Sequence, residues 1–460
     1  MQTHQLIVKI LLSLQTTHVN LYHNPNKNEA SLMSRLLLLV IFQISILLLS
    51  AQPTSQEEIL GNPNLSASNS VAYPSHQTKL TPAPKGMKPF YLSHYGRHGS
   101  RYLTKKEEYN YVPRILKEAE KLGKLTKLGI DVLKRAQYIR EKTTGHCGDL
   151  TPLGAQQLRD IARRMTENFP ELFRRNATVD ARSTVVSRCI LSMGNAILQL
   201  KAYNPRLEIR KTASGHENYF MYYQDKKLRA KNRPDTLIKA YNKFCEDHWA
   251  HDRLMNSLFN DPAYIRDSID IKELHLRLFR LAGILQNTEL ADSVSLYDIF
   301  TPNEIYNNWL TANVWWYLGY GFTSLNGGTQ PFVQRNLLRK MIADADSCIQ
   351  LKETNVQLRF GHDTILLPLV CLMGINGYDK QVDNLDSLAA SGWIDYRVFP
   401  MAGNLQLVFY RRNAKDRDPL LKVLLNEQEA TLPIPAYQGP YYRWADVKKY
   451  MLRRLSTYAE

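Results

Sequence analysis

Two periods of apolar and polar residues run along the chain. Residues 88–93 read as a short buried strand, and Val356-Gln357-Leu358-Arg359-Phe360 alternates with period two before Gly361 breaks the run. After it, the stretch from Thr364 to Met373 is apolar enough for a buried helix, with Pro368 tolerable only near its first turn. A helix is expected to run through Ile190-Leu191-Ser192-Met193 to Leu200, another over 333–351 and a closing one over 444–458, while 395–399 and 405–410 read as paired strands. This order predicts an α/β domain with a central, mostly parallel sheet flanked by helices, built from residues 86–202 and 331–460. Between the halves, 203–330 is helical in pattern and rich in aromatic residues, with Gly327-Gly328 and Pro331 marking the return, and it predicts an inserted, mostly α-helical cap. Residues 52–85 are rich in Pro, Ser, Asn and Thr with little periodicity, and read as a linker. No internal repeat is found.

The N-terminal pattern is of another kind. Arg35 precedes an apolar run from Leu36 through Leu49, broken only by Gln43 and Ser45, and Ser50-Ala51-Gln52 supplies small residues for cleavage. Residues 1–51 therefore read as an upstream extension plus a signal peptide, Met33 being the more ordinary start. The expectation is an exported protein: periplasmic, secreted or lumenal. The run is short for a spanning helix, so a membrane association is expected only if it is retained as an anchor. Five cysteines leave at least one unpaired or bridging to another chain, and Cys189 and Cys371, in apolar stretches, read as core.

With 460 residues and 44% hydrophobic content the chain can bury a substantial core. Its formal net charge is +16, of which residues 52–460 hold +14. Such an excess steers polyanions, and equally fits a basic surface unrelated to substrate. Nucleic acid is not expected, because no helix-turn-helix, zinc finger or RNA-binding aromatic motif occurs.

The chemistry concentrates where the two strands end. Ser93-His94-Tyr95-Gly96-Arg97-His98-Gly99-Ser100-Arg101 sets His98 between two arginines. A phosphate monoester carries about two negative charges at neutral pH, which repel a nucleophile. Arg97 and Arg101 can neutralise them bidentately, and a neutral His98 can then attack phosphorus through a phosphohistidine. The nearby guanidinium charges favour that neutral form. Phe360-Gly361-His362-Asp363 repeats the layout of strand followed by site, with His362 as a further hydrogen-bond donor to the phosphate and Asp363 as the acid for the leaving alcohol. Arg188, about one turn into the Ile190 helix, can point at the same phosphate, whereas Arg182 reads as a solvated charge.

Four motifs, Arg97-His98-Gly99-Ser100-Arg101, Asp149-Leu150-Thr151-Pro152-Leu153-Gly154, Ser183-Thr184 with Arg188, and Phe360-Gly361-His362-Asp363, stand in an order that resembles the histidine phosphatase superfamily, in its acid phosphatase and phytase branch. The resemblance covers about residue 88 to the C-terminus. Leu366-Leu367-Pro368-Leu369, Leu372-Met373-Gly374 and Phe399-Pro400-Met401-Ala402-Gly403-Asn404-Leu405 look most like the multiple inositol polyphosphate phosphatases. It implies a histidine phosphatase fold, His98 as nucleophile, Arg97, Arg101, Arg188 and His362 as phosphate ligands, and no metal or cofactor. The implied substrate is a small phosphorylated molecule such as phytate, with bisphosphoglycerate as a further candidate. One departure stands out: that group usually reads His-Ala-Glu where this chain has His362-Asp363-Thr364, the pattern of acid phosphatases and bacterial phytases. Asp363, with its shorter reach, is the expected donor.

Two alternatives follow from the same residues, and a third from a separate cluster. A broad-specificity acid phosphatase or sugar phosphatase keeps the chemistry and changes the substrate; an exported phosphate-binding scaffold keeps the fold without turnover. On a helix, His248, His251 and Asp252 would share a face, a spacing compatible with a transition metal. Neither His-Glu-x-x-His nor paired Cys-x-x-Cys accompanies them, and helical surface residues are the preferred reading.

Overall fold

The computed structural model describes residues 53–458 apart from 75–78, 175–176, 224 and 250. The apolar segment 36–49 and the expected cleavage site lie outside the described residues. Among those described, no helix is long and apolar enough to cross a membrane.

One mixed sheet of eight strands organises the described residues: β1 (Lys88–Arg97), β2 (Thr178–Ser183), β3 (Glu208–Ala213), β4 (Asn355–Gly361), β5 (Asn404–Arg411), β6 (Leu420–Leu425), β7 (Gln428–Ala430) and β8 (Tyr441–Arg443). Their order is β3-β2-β4-β1-β5-β6-β7, with β8 on β6. The β3-β2-β4-β1 half is parallel, and the remainder antiparallel. Strands this central must be apolar on both faces, and nine of the ten β1 residues are buried.

The helices are α1 (Ser55–Gly61), α2 (Lys106–Lys121), α3 (Lys127–Thr143), α4 (Pro152–Asn168), α5 (Ser187–Tyr203), α6 (Asn218–Met221), α7 (Lys226–Ala230), α8 (Asp235–His248), α9 (Asp252–Leu258), α10 (Pro262–Ser268), α11 (Ile271–Ile284), α12 (Pro302–Tyr320), α13 (Arg335–Gln350), α14 (Asp363–Met373) and α15 (Trp444–Ser456). Leu92, Val179, Val356, Leu358 and Phe360 on one sheet face meet Leu158, Ile161 and Met165 of α4 and Met193 and Leu200 of α5. Tyr91, Tyr95, Leu405, Leu407 and Phe409 on the other face join a core formed with α13, α14 and α15, which continues into the helices of 218–320. The fold class is the expected one: α/β, with helices on both faces of the sheet.

Several local expectations differ from the structure. β3 lies past residue 203 and pairs with β2 in the main sheet, so the sheet reaches into the stretch expected to be an insertion. Helices α2 and α3 pack into the same core as the helices of 218–320. Asp395–Arg397 is a 3-10 turn instead of a strand, because the buried Asp395 carboxylate bonds its own neighbour Tyr396 N at 2.7 Å and Trp309 Nε1 at 2.8 Å. Within the expected linker, α1 and a 3-10 segment, Pro63–Ser70, are ordered against the body, with Ile59, Ser66 and Ser68 buried. A helix-start signal was present there: Asn62 caps the segment by accepting from Asn64 N, with Pro63 as the first helical residue. Helix α8 ends at His248 and α9 begins at Asp252, so the shared face that a metal site would need does not form. His248 instead bonds Phe244 O at 2.8 Å and lies 3.2 Å from Asp386. All five cysteines are free thiols, with Cys189 and Cys371 fully buried.

Candidate active site

The site is assembled by register. β1 and β4 are parallel neighbours that pair Gly96 with Phe360 and Arg97 with Gly361; β2 flanks β4 and pairs Ser183 with Phe360. His98, His362 and Thr184 therefore follow the carboxyl ends of three adjacent strands, where open α/β sheets bind ligands. His98 N donates to Gly361 O at 3.0 Å and Thr184 N to Phe360 O at 3.1 Å, so each loop leaves its strand along its neighbour.

Two further segments seat the His98 loop. Arg97 N donates to Gly403 O and Ala402 N to His98 O, both at 2.8 Å, while Arg97 Nη1 donates to Phe399 O at 2.7 Å. On the opposite side Thr151 caps α4 and donates its N–H to Ser100 O at 2.9 Å. Gly99 and Gly154 must be glycine for a simple reason: a Cβ on Gly99 would stand 2.4 Å from Gly154 O, and one on Gly154 would stand 2.2 Å from Ser100 O. The Asp149–Gly154 motif is thus a seat for the His98 loop.

Within this frame Arg97 is fully buried, and His98 is 2% exposed. His98 Nδ1 lies 2.9 Å from Gly99 O, an acceptor only, so a neutral ring carries its proton on Nδ1 and presents the Nε2 lone pair. Burial, then Arg97, Arg101, Arg188 and His362, push its pKa well below the usual histidine value. The His362 ring stands 5.8 Å from that of His98, its Nε2 3.2 Å from Thr184 Oγ1. Burial holds His362 down at about 4.

Three arginines converge on His98. Burial, then the charge of Arg97, lowers Arg101 to about 10, still protonated at neutral pH. The Nε groups of Arg97, Arg101 and Arg188 are buried without a protein acceptor. Buried charged donors left in this state are matched to an anion. Arg188, the second residue of α5, is held near the loop by a relay in which Ser192 Oγ donates to Arg188 O at 2.8 Å and accepts from Gly99 N at 3.1 Å.

Asp363 opens α14. Its Oδ2 pairs with Arg97 Nη2 at 2.9 Å and accepts from Asn69 Nδ2 at 3.2 Å; its Oδ1 accepts from Thr364 N at 2.8 Å. Burial would raise this carboxyl, but Arg97, Arg101 and His362 outweigh it and hold the group below the ordinary carboxylate range. Three guanidinium charges against one carboxylate leave about two positive charges, matching a phosphomonoester dianion.

The structure brings Arg97, His98, Arg101, Arg188, His362 and Asp363 into one cluster. Arg182 stays outside it, bound to Asp180 at 2.6 Å and Glu217 at 3.1 Å. Sequence reasoning missed the Phe399 carbonyl as an arginine brace, Cys189, whose Sγ donates to Gly361 O at 3.3 Å, and Asn69. Replacing Arg188 by alanine is expected to lower kcat/KM on phosphomonoesters at least about tenfold, since a charge-assisted contact contributes roughly 1.5–3 kcal/mol and about 1.4 kcal/mol is a factor of ten. Unchanged kinetics would remove Arg188 from the phosphate site.

Comparison with protein families matches residues 96–426 to the histidine phosphatase superfamily (branch 2). Among solved structures, the multiple inositol polyphosphate phosphatase of Bifidobacterium longum in complex with inositol hexasulfate is similar, with a TM-score of 0.71 at 17% identity over 84% of this chain and 97% of that one. The phytase from D. castellii is similar at a TM-score of 0.64 and 14% identity, covering 86% of each chain. Comparison with curated protein sequences gives no match.

Proposed function

Because this chain belongs to branch 2 of the histidine phosphatase superfamily, we propose that it is a phosphatase acting on inositol polyphosphates such as phytate, by way of a phosphohistidine on His98. The neutral Nε2 attacks phosphorus while Arg97, Arg101, Arg188 and His362 hold the phosphate oxygens. The ester bond to the substrate oxygen breaks, and Asp363 gives that oxygen its proton. Asp363, now ionised, takes a proton from a water that attacks the phosphohistidine, releasing phosphate and restoring both groups. No metal is needed, since the guanidinium groups supply the positive charge.

One observation carries the polyphosphate reading. A cleft of about 290 Å³ runs from Thr364 and Ile365, beside Asp363, to Arg229, Asn232 and Arg233 on the cap. Arg233 lies over the Trp315 ring at 4.1 Å, and neither Arg229 nor Arg233 forms an ion pair with a described residue. Gln334, 1% exposed, lines the same cleft with both amide atoms unpartnered. A substrate whose single phosphate sits at His98 has no use for this second basic wall. One with phosphates around a ring does. The small-monoester reading rests on the His362-Asp363 pair, which also serves substrates of that kind. Export remains part of the proposal, on the strength of the N-terminal apolar segment.

The test measures phosphate release from phytate, bisphosphoglycerate, glucose phosphates and an aryl phosphate side by side. Arg229→Ala/Arg233→Ala is expected to raise KM for phytate about tenfold, from two partly solvated charge-assisted contacts, and to leave the aryl phosphate within about twofold. Equal effects on both substrates, or none on phytate, would favour a general monoesterase.

A further inference from the structure

The segment ahead of β1 lies upstream of the region matched by the family, and none of the catalytic motifs includes it. It is nonetheless tied to the body at nearly every residue between 66 and 73. Ser66 Oγ donates to Pro63 O at 2.6 Å and lies 3.2 Å from Tyr297 Oη. Ser68 Oγ donates to the buried Asp395 carboxylate, and Asn287 Nδ2 donates to Ser70 O. Val71 O accepts from Met401 N at 2.8 Å, Ala72 N donates to Gln286 Oε1 at 3.0 Å, and Tyr73 Oη donates to Glu427 at 2.9 Å. Ser68 is held at φ 53°, ψ −118°, an unfavourable conformation for a residue with a Cβ. Such a conformation persists only where the surroundings over-determine it, and it clusters at functional sites.

The same anchors reach the catalytic loops. Asn287, which holds Ser70, also accepts from Ser100 Oγ at 2.7 Å, and Met401, bonded to Val71, directly precedes Ala402, bonded to His98. Between the two pinned residues Ser68 and Ser70, Asn69 has little freedom, and its amide ends on Asp363 Oδ2.

We propose that Asn69 is a positioning residue for the proton donor, holding the Asp363 carboxyl toward the leaving oxygen through the whole cycle. The proposal rests on Asp363 being the donor. The physical reason lies in what each partner can do. Arg97 is a donor only and can bond only a lone pair on the acid. It is also the group that an incoming phosphate dianion recruits, which loosens its grip on Asp363. An asparagine amide carries both a donor and an acceptor, so it can serve the ionised carboxylate through Nδ2 and, turned over, the protonated acid through Oδ1. Asn69 is thus the side chain on Asp363 that suits both protonation states, and its backbone is fixed independently of substrate.

The test uses the full chain and two substrates that differ in leaving group. Asn69→Ala is expected to lower kcat on phytate about tenfold, a part of the 10²–10⁴ that a positioned acid supplies, with KM within about twofold. Aryl phosphate, whose leaving group needs no proton, should be hydrolysed within about twofold of the wild-type rate. In an Asp363→Asn background, Asn69→Ala should add nothing further. Asn69→Asp keeps the side-chain size but offers only acceptors while ionised, and should show the same substrate dependence should the alanine variant prove unstable. Equal losses on both substrates, or a full additional loss in the Asp363→Asn background, would overturn the proposal and leave Asn69 a structural residue. A leaving-group dependence absent from Asp363→Asn itself would overturn both readings; one present there and absent from both Asn69 variants would overturn this one alone.

Discussion

Replacing His98 by alanine is expected to abolish turnover and phosphoenzyme formation together. Enzymes accelerate phosphate monoester hydrolysis by up to ~10²¹-fold, so loss of the nucleophile leaves almost nothing to measure. The neighbouring imidazole cannot substitute: the His362 ring is 5.8 Å away with its Nε2 against Thr184. The depressed pKa of His98 has a consequence of definite sign. A histidine of ordinary pKa near 6.5 would be protonated and inert in acid. Burial and the surrounding arginines keep this one neutral, so activity that depends on it is expected to survive as pH falls through 6.5 and to fail only well below that. Trapping the phosphoenzyme in acid with labelled substrate checks both points. A labelled His98→Ala protein, or one retaining more than a small fraction of the wild-type rate, would show that phosphate is transferred elsewhere.

The second large effect is expected at Asp363. General acid catalysis typically contributes 10²–10⁴-fold, and Asp363→Asn should lose about that much on phytate, whose alkoxide leaving group needs a proton. Loss on an aryl phosphate should be far smaller, because its leaving group is a stable anion. Arg97, Arg101 and His362 hold the carboxyl ionised in the free protein, against its burial. The protonated, competent form is therefore favoured in acid and declines as pH rises. Bound phosphate works the other way, since its negative charge raises the carboxyl pKa and draws the arginines to itself. The pH profile of kcat/KM on phytate should fall with rising pH and lose that limb in Asp363→Asn. The aryl substrate serves as the control for phosphate's own second pKa near 6. Equal losses on the two substrates would make Asp363 a positioning group and move the donor to another residue.

Much of this site was legible before any tertiary contact was known. A histidine between two arginines, a second histidine beside an acid, and a strand before each are local patterns, and local patterns follow from the covalent order of the chain. The period of two in 356–360 placed β4, and the apolar run after it placed α14, because burial of one element against another requires those spacings. The motifs also carried the family, since their order along the chain is itself sequence information.

What only the tertiary structure decided concerns groups brought together from far apart. Nothing in the periodicity of 88–97 or 355–361 states that these strands are parallel neighbours in a register pairing Arg97 with Gly361, yet that register sets His98 beside His362. The pairing of Arg97 with Asp363 is likewise invisible in the sequence: in the free protein it holds the buried carboxyl below its ordinary range, although the two residues stand far apart along the chain. The segment over 55–73 looked like a linker because its composition favours turns. It is ordered by partners at 286–297, 395–404 and 427, none of which its own sequence can indicate. Hydrophobic period reports which face of an element is buried, and motif chemistry reports what a side chain can do. Which polar groups meet across the fold depends on hydrogen bonds between residues hundreds of positions apart, and those are fixed only when the layers pack.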